Sequence, residues 1–210
     1  MEEQVLDYLY GYYPQLLREI AGALQMEVPQ GYDAAKQWAA QVVERLLRAG
    51  PGYTAALSRH GVDVKTCRMP QDAMPFEPMT FPAFEHRALA KEQWETSSFR
   101  GQIKYLLVVV LNAPEKGLPL ADHRLGRAFF WSPDPKEEAG IRAEWEMFRD
   151  LIAGGGAKRL PTQRRTHYIH VKPEAKDSYD TEEAPDVGQV VHRSFALNQR
   201  FLLDLVRSNT

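Results

Sequence analysis

The sequence predicts an α/β fold of the mixed α+β kind, with helices bracketing a small mixed sheet. Three observations lead there. Apolar and polar residues alternate in "GVDVKTC" (61–67) and in "THYIHVK" (166–172), the period of a strand. Within 104–111, "YLLVVVL" (105–111) is a continuous apolar run of strand length, as a fully buried strand requires. Between and around these segments, apolar residues recur at helical spacing.

The first 24 residues carry Leu6 and Leu9, then Leu16, Ile20 and Leu24, with Gly11 and Pro14 between the groups, so two short helices are expected. "DAAKQWAAQVVERLLRAG" (33–50) reads as a longer helix. Asp33 suits its cap, Trp38, Val42 and Leu46 form its stripe, and Gly50-Pro51 ends it. A short segment around Ala55–Leu57 precedes the strand at 61–67. Four prolines in 69–84 predict a loop or irregular strands. After the run at 104–111, "GRAFFWSP" (126–133) reads as a short strand and turn. A helix starts at Asp134-Pro135, buries Ile141, Trp145, Phe148 and Ile152, and stops at Gly154–Gly156. In 166–172, Ile169 and Val171 share one face, and Tyr168, His170 and Lys172 the other. "EAKDSYDTEEAPD" (174–186) reads as an acidic exposed loop, and "NQRFLLDLVR" as a closing helix.

The chain has 210 residues, 44% hydrophobic and 26% charged, enough for one well-filled core or two small ones. A formal charge of −2 excludes a strongly basic scaffold, although a basic cleft offset by acidic helices remains compatible with it. One cysteine, Cys67, rules out an intrachain disulfide or a thiolate zinc cluster. The acidic start "MEEQVLDYLYGYYP" lacks the basic region of a signal peptide, and "YLLVVVL" is far too short to span a membrane, so a cytoplasmic protein is expected.

Chemistry concentrates at Asp63 and Lys65. At a rise of about 3.3 Å per residue they lie about 7 Å apart on one strand face, with Val62 and Val64 on the other. A carboxylate there can hold a divalent cation against a phosphodiester, and the Val64 backbone carbonyl offers a further oxygen. Lys65 can position or deprotonate a water, or neutralise a phosphate. Alone, the pattern is weak, because an edge-strand ion pair worth about 0–1 kcal/mol reads the same way. A second carboxylate is needed, and Glu44 is a candidate. His123 and His170 lack a spaced partner cluster, His60 reads as a turn residue, and Ser97 and Ser98 have no Ser-His-Asp arrangement. Trp94, Trp131 and Trp145 read as core.

Taken together, "GVDVKT" (61–66), "WETSSFRGQIKYLL" (94–107), "PLADHRLGRAFFWSPDPKEE" (119–138), "IRAEWEMFRDLIAGG" (141–155), "YIHVKPEAK" (168–176) and the helix "AAKQWAAQVVERLL" resemble, in order, the MutH family: the mismatch-repair nicking endonuclease and its type II restriction relatives. The resemblance runs over nearly the whole chain. It implies a restriction-endonuclease-like PD-(D/E)xK core in residues 1–210, a single domain or two subdomain arms around a DNA cleft. It also implies Mg2+-dependent cleavage of double-stranded DNA, commonly at GATC, by a chain that is a monomer in solution and a monomer or dimer on DNA, and a MutL-type activator for the repair enzyme. The family's acid-x-Lys pair falls on Asp63 and Lys65, its upstream helical glutamate on Glu44, and a further lysine on Lys104.

One position departs. The family's first metal-binding aspartate stands seven residues before the acid of the pair, where this chain has Ala56. Three explanations stand: a naturally inactive relative, an acid supplied from elsewhere with Glu44 nearest, or an aspartate changed to alanine to trap uncut DNA. Asp63 also replaces the commoner glutamate. Arg100, Arg124, Arg127, Arg164, Arg165 and Lys172 are the DNA-facing candidates, for phosphates or guanine edges. Lys172 and Glu174 match the family's GATC-contacting segment imperfectly, and Phe195 falls near its methylation-sensing tyrosine. The alternatives to repair nicking are a restriction enzyme cutting both strands and a non-catalytic DNA-binding relative.

Overall fold

The computed structural model describes residues 1–29, 32–174 and 179–209, with backbone alone over 32–36. The expected cap at Asp33 therefore lies outside the described side chains. Along the first half of the chain run α1 (Glu2–Tyr10), α2 (Leu17–Ala23), α3 (Tyr32–Ala49), α4 (Tyr53–Arg59), β1 (Asp63–Met69), β2 (Met79–Phe84), α5 (His86–Leu89) and α6 (Ser98–Ile103). Then come β3 (Leu106–Asn112), β4 (Arg124–Trp131), α7 (Pro135–Ala153), β5 (Ile169–Pro173), β6 (Thr181–Ala184), β7 (Gly188–Val191), β8 (Arg193–Leu197) and α8 (Gln199–Ser208). The chain divides into two compact units, residues 1–77, 105–132 and 203–210, and residues 78–104 and 133–202.

The first unit holds a mixed sheet in the order β1-β3-β4, with β1 parallel and β4 antiparallel to β3. The central position of β3 explains its unbroken apolar sequence: Leu106 to Leu111 are all buried. Val5 and Leu9 of α1, Leu17 and Ile20 of α2, and Val42, Val43, Leu46 and Leu47 of α3 pack in one cluster with Leu107, Val109 and Leu111. The stripe expected on α3 is this buried face. Trp38, on the same helix, donates its indole N–H to the Glu27 carbonyl at 2.8 Å.

The second unit is built on an antiparallel sheet, β2-β8-β5, so the single mixed sheet of the sequence reading is met in the first unit and joined by a separate one here. Helix α7 begins with a reciprocal cap. Asp134 accepts the N–H groups of Lys136 and Glu137, and the Glu137 carboxylate accepts the Asp134 N–H. Its four expected core residues, Ile141, Trp145, Phe148 and Ile152, are all fully buried. On β5, His170 is buried along with Ile169 and Val171, because its Nδ1 lies 2.6 Å from the Asn198 amide oxygen.

Part of the expected exposed acidic loop is ordered pairing. Residues 181–184 form β6, which pairs with β7 and buries Ala184 and Val190. The reason is a partner for the acid: Glu182 lies 2.7 Å from Nδ1 of the buried His86. Residues 175–178 of that segment lie outside the described residues. No helix among the described residues is long and apolar enough to cross a membrane.

Candidate active site

The site is set by how β1 begins. Helix α4 ends at Arg59, and Gly61 turns the chain with φ +65°, a left-handed conformation that costs glycine nothing. The Val62 N–H then bonds back to the Leu57 carbonyl at 2.9 Å, and the Asp63 N–H bonds to the Tyr105 carbonyl at 3.0 Å. Parallel pairing follows, with Asp63 opposite Leu106 and Lys65 opposite Val108. Val62 joins the core and Val64 packs against it. The alternation expected from the sequence therefore holds, and the acid and the lysine share the other face.

That face grades from water to core. The Asp63 side chain is 58% exposed, that of Lys65 21%, and Cys67 and Met69 beyond are buried. Lys65 Nζ lies 4.0 Å from Asp63 Oδ2. Burial pushes the Lys65 ammonium below its ordinary value, and the Asp63 charge opposes that in part. Burial alone raises the Cys67 thiol to about 12, which leaves it without nucleophilic character.

Glu44 reaches the same neighbourhood from α3. Together with Asp63, Val64, Thr54, Ser58 and Thr66 it lines an open pocket of about 350 Å³. Two carboxylates thus border one pocket, while Lys65 is not among the lining residues. The Glu44 carboxylate is bound by Arg48, one turn further on, at 2.5 Å. Ala56 is half-buried on α4, whose Thr54, Leu57 and Ser58 face the pocket, and Ala56 is not among the lining residues. Among the described residues, no three His, Cys, Asp or Glu side chains are placed to hold a metal together.

The donor set nevertheless suits a hard divalent cation in kind. Two acidic residues, Glu44 and Asp63, line one pocket together with Val64, and carboxylate and carbonyl oxygens are hard donors. Mg2+ is commonly held by one or two carboxylates, with waters and substrate phosphates filling the rest.

The basic candidates divide between the two units. In the first, Arg124 is exposed and donates to the Pro14 carbonyl at 3.1 Å, and Arg127 is exposed on β4. In the second, Arg100 is held by Glu138 at 2.8 Å, and exposed Lys104 immediately follows α6. Arg164 and Arg165 are exposed on a 3-10 turn. Lys172 bonds Glu174 at 3.0 Å and Thr80 at 3.2 Å. Phe195 is 2% exposed, with its ring centroid 4.7 Å from that of Phe99 and 4.9 Å from that of Phe84. Its side chain is a core element and presents no face to a ligand. Arg48, Thr54, Ser58 and Thr66 were not singled out from the sequence. For Arg48 the signal was present, as a Glu–Arg pair at i,i+4 in "ERLLR".

Comparison with known proteins matches residues 49–144 to the family described as "DNA mismatch repair enzyme MutH". That span carries position 56, Asp63, Lys65 and Lys104. The DNA mismatch repair protein MutH of Escherichia coli (strain K12) is 30% identical over 210 residues, covering 96% of this chain and 87% of that protein. The protein of the same name from Enterobacter sp. (strain 638) is 28% identical over 185 residues, covering 87% of this chain and 80% of its own length.

Proposed function

The chain belongs to the MutH family of DNA mismatch repair enzymes, and from that premise we propose that it is built to nick double-stranded DNA with Mg2+ at unmethylated or hemimethylated GATC. In this reading it serves methyl-directed repair as a monomer and answers to a MutL-type activator. The observation that carries the reading is the pairing of Glu44 and Asp63 on one pocket with Lys65 beside Asp63.

Glu44, Asp63 and the Val64 carbonyl would hold the cation. When bound, it would lower the pKa of a water and offset the charge that develops on phosphorus. Lys65 keeps its Nζ near Asp63, and burial makes its ammonium easier to deprotonate than a free lysine's, so it can position the attacking water or exchange a proton with it. Lys104 and the exposed arginines position phosphates, and Arg164 and Arg165 follow the backbone. Ala56 leaves the ligand set one acid short, so cleavage by this chain is impaired. The same alanine favours a second reading, a relative that binds DNA without cutting it.

The test compares this chain with Ala56→Asp on unmethylated, hemimethylated and fully methylated GATC plasmids in Mg2+, with and without MutL. Nicks restored by Ala56→Asp on hemimethylated DNA support the repair enzyme. Double-strand cuts without MutL would instead mark a restriction enzyme. Tight binding with no cutting by either form would replace both with the binding-only reading.

A further inference from the structure

Each carboxylate of the pocket already has a cation of the protein's own. Asp63 has Lys65 at 4.0 Å, and Glu44 has Arg48 at 2.5 Å. With a methyl group at position 56, each of the two acids is paired with one basic side chain. The Glu44–Arg48 pair is well built for its setting. Both residues lie on α3 at i,i+4 with the acid N-terminal, the favourable order. Arg48 is also the basic residue of the last turn, where the helix dipole favours a cation. The guanidinium fork is planar and preorganised for a carboxylate. The side chains are 59% and 54% exposed, so the pair is screened and open to exchange.

We infer that Arg48 is a positioning residue of this site, the resting counter-ion of Glu44, which a divalent cation must displace or sit beside. The inference rests on the proposed cation-assisted reading. It goes further by naming the residue that sets how strongly the pocket demands a cation. Removing one unit of positive charge a few ångströms from a divalent ion, in near-aqueous surroundings, changes its affinity by about three- to tenfold.

The probe is Mn2+ alone, followed by the EPR signal of the free ion at low ionic strength. Arg48→Met should raise Mn2+ affinity about three- to tenfold, and the gain should shrink as salt is added. Arg48→Lys keeps the charge and should stay within about twofold of the parent chain. Glu44→Gln should lower affinity and abolish the effect of Arg48→Met. Circular dichroism melts of all variants check that each is folded, as expected for substitutions on an exposed pair. An Arg48→Met affinity equal to the parent's, or a gain that persists with Glu44→Gln, overturns the inference. If Asp63→Asn still weakens Mn2+ binding in that case, the cation-assisted reading survives without it. If neither Asp63→Asn nor Glu44→Gln weakens binding, both fall together.

Discussion

Phe195 separates a packing role from a DNA-reading role. Its ring is 2% exposed and sits among Phe84, Phe99 and Phe148, with centroid separations of 4.9, 4.7 and 6.1 Å. Truncation to alanine at such a site removes the ring's transfer energy and opens a cavity, about 3–5 kcal/mol. Phe195→Tyr keeps the ring but drives a hydroxyl into this aromatic cluster, at about 1–3 kcal/mol for a buried group without a partner. At about 2–4 °C per kcal/mol for a chain of this size, melting should fall by about 6–20 °C for Phe195→Ala and about 2–12 °C for Phe195→Tyr. The assay is a thermal melt of each variant, paired with binding to methylated and unmethylated GATC duplexes. Burial predicts lower melting temperatures and an unchanged ratio of the two affinities for Phe195→Tyr. An unchanged melt with a shifted methylation preference would refute the buried placement and put the ring against DNA.

Lys65 carries a pH signature. Burial lowers its pKa from 10.5, so between the lowered value and 10.5 the unfolded chain binds more protons, and stability rises with pH across that window. Lys65→Met should remove that rise in urea midpoints and abolish any cutting restored by Ala56→Asp; parallel pH profiles would contradict the burial. Glu144 accepts the N–H groups of His167, Tyr168 and Ile169 at 2.6, 3.0 and 2.8 Å, fixing the entry to β5. Glu144→Ala should cost about 1.5–3 kcal/mol and speed amide exchange at those three positions first. A Cβ on Gly126 would stand 2.6 Å from Asn112 Nδ2 and 2.9 Å from the Val110 carbonyl. Gly126→Ala should therefore lower stability by about 1–3 kcal/mol in denaturant titration, and an unchanged midpoint would mean the strands can part at that point.

Local pattern was readable wherever one face of an element meets the core. The α7 stripe, the buried run of β3 and the alternation of β1 follow from periodicity, because burial of those faces is what selects the residues. The β6 strand was not readable in this way. Its "TEEA" sequence carries no apolar alternation, and what orders it is Glu182 meeting His86, a partner 96 residues away. Asp63 and Lys65 could be placed on one strand face from spacing, and Glu44 on a helix. Their shared pocket depends on how α3 crosses β1, which no local pattern encodes. Phe195 illustrates the opposite case. Its position near a family residue said nothing of which face of β8 its side chain takes, and the structure puts it among three other phenylalanines.

Whether position 56 is a chemical or a structural matter can be argued from α4. Ala56 is half-buried and sits in a helix with no acid in its first turn, close enough to the N-terminus for a carboxylate to favour the helix dipole. Against this, aspartate is a poorer helix former than alanine by at most about 0.7 kcal/mol. The two effects are of similar size and opposite sign, so Ala56→Asp should leave stability within about 0.5 kcal/mol. Packing is carried by Leu57, which is buried whatever stands beside it. A denaturant midpoint equal to the parent's would make the cleavage comparison a measurement of chemistry alone. A large loss of stability would mean that α4 packs more closely around position 56, and failure to cut would then say nothing about metal ligands. In that event the third acid is better placed from the pocket itself. Ser58 already lines it with Glu44 and Asp63, and Ser58→Asp would supply the carboxylate from a position that faces them.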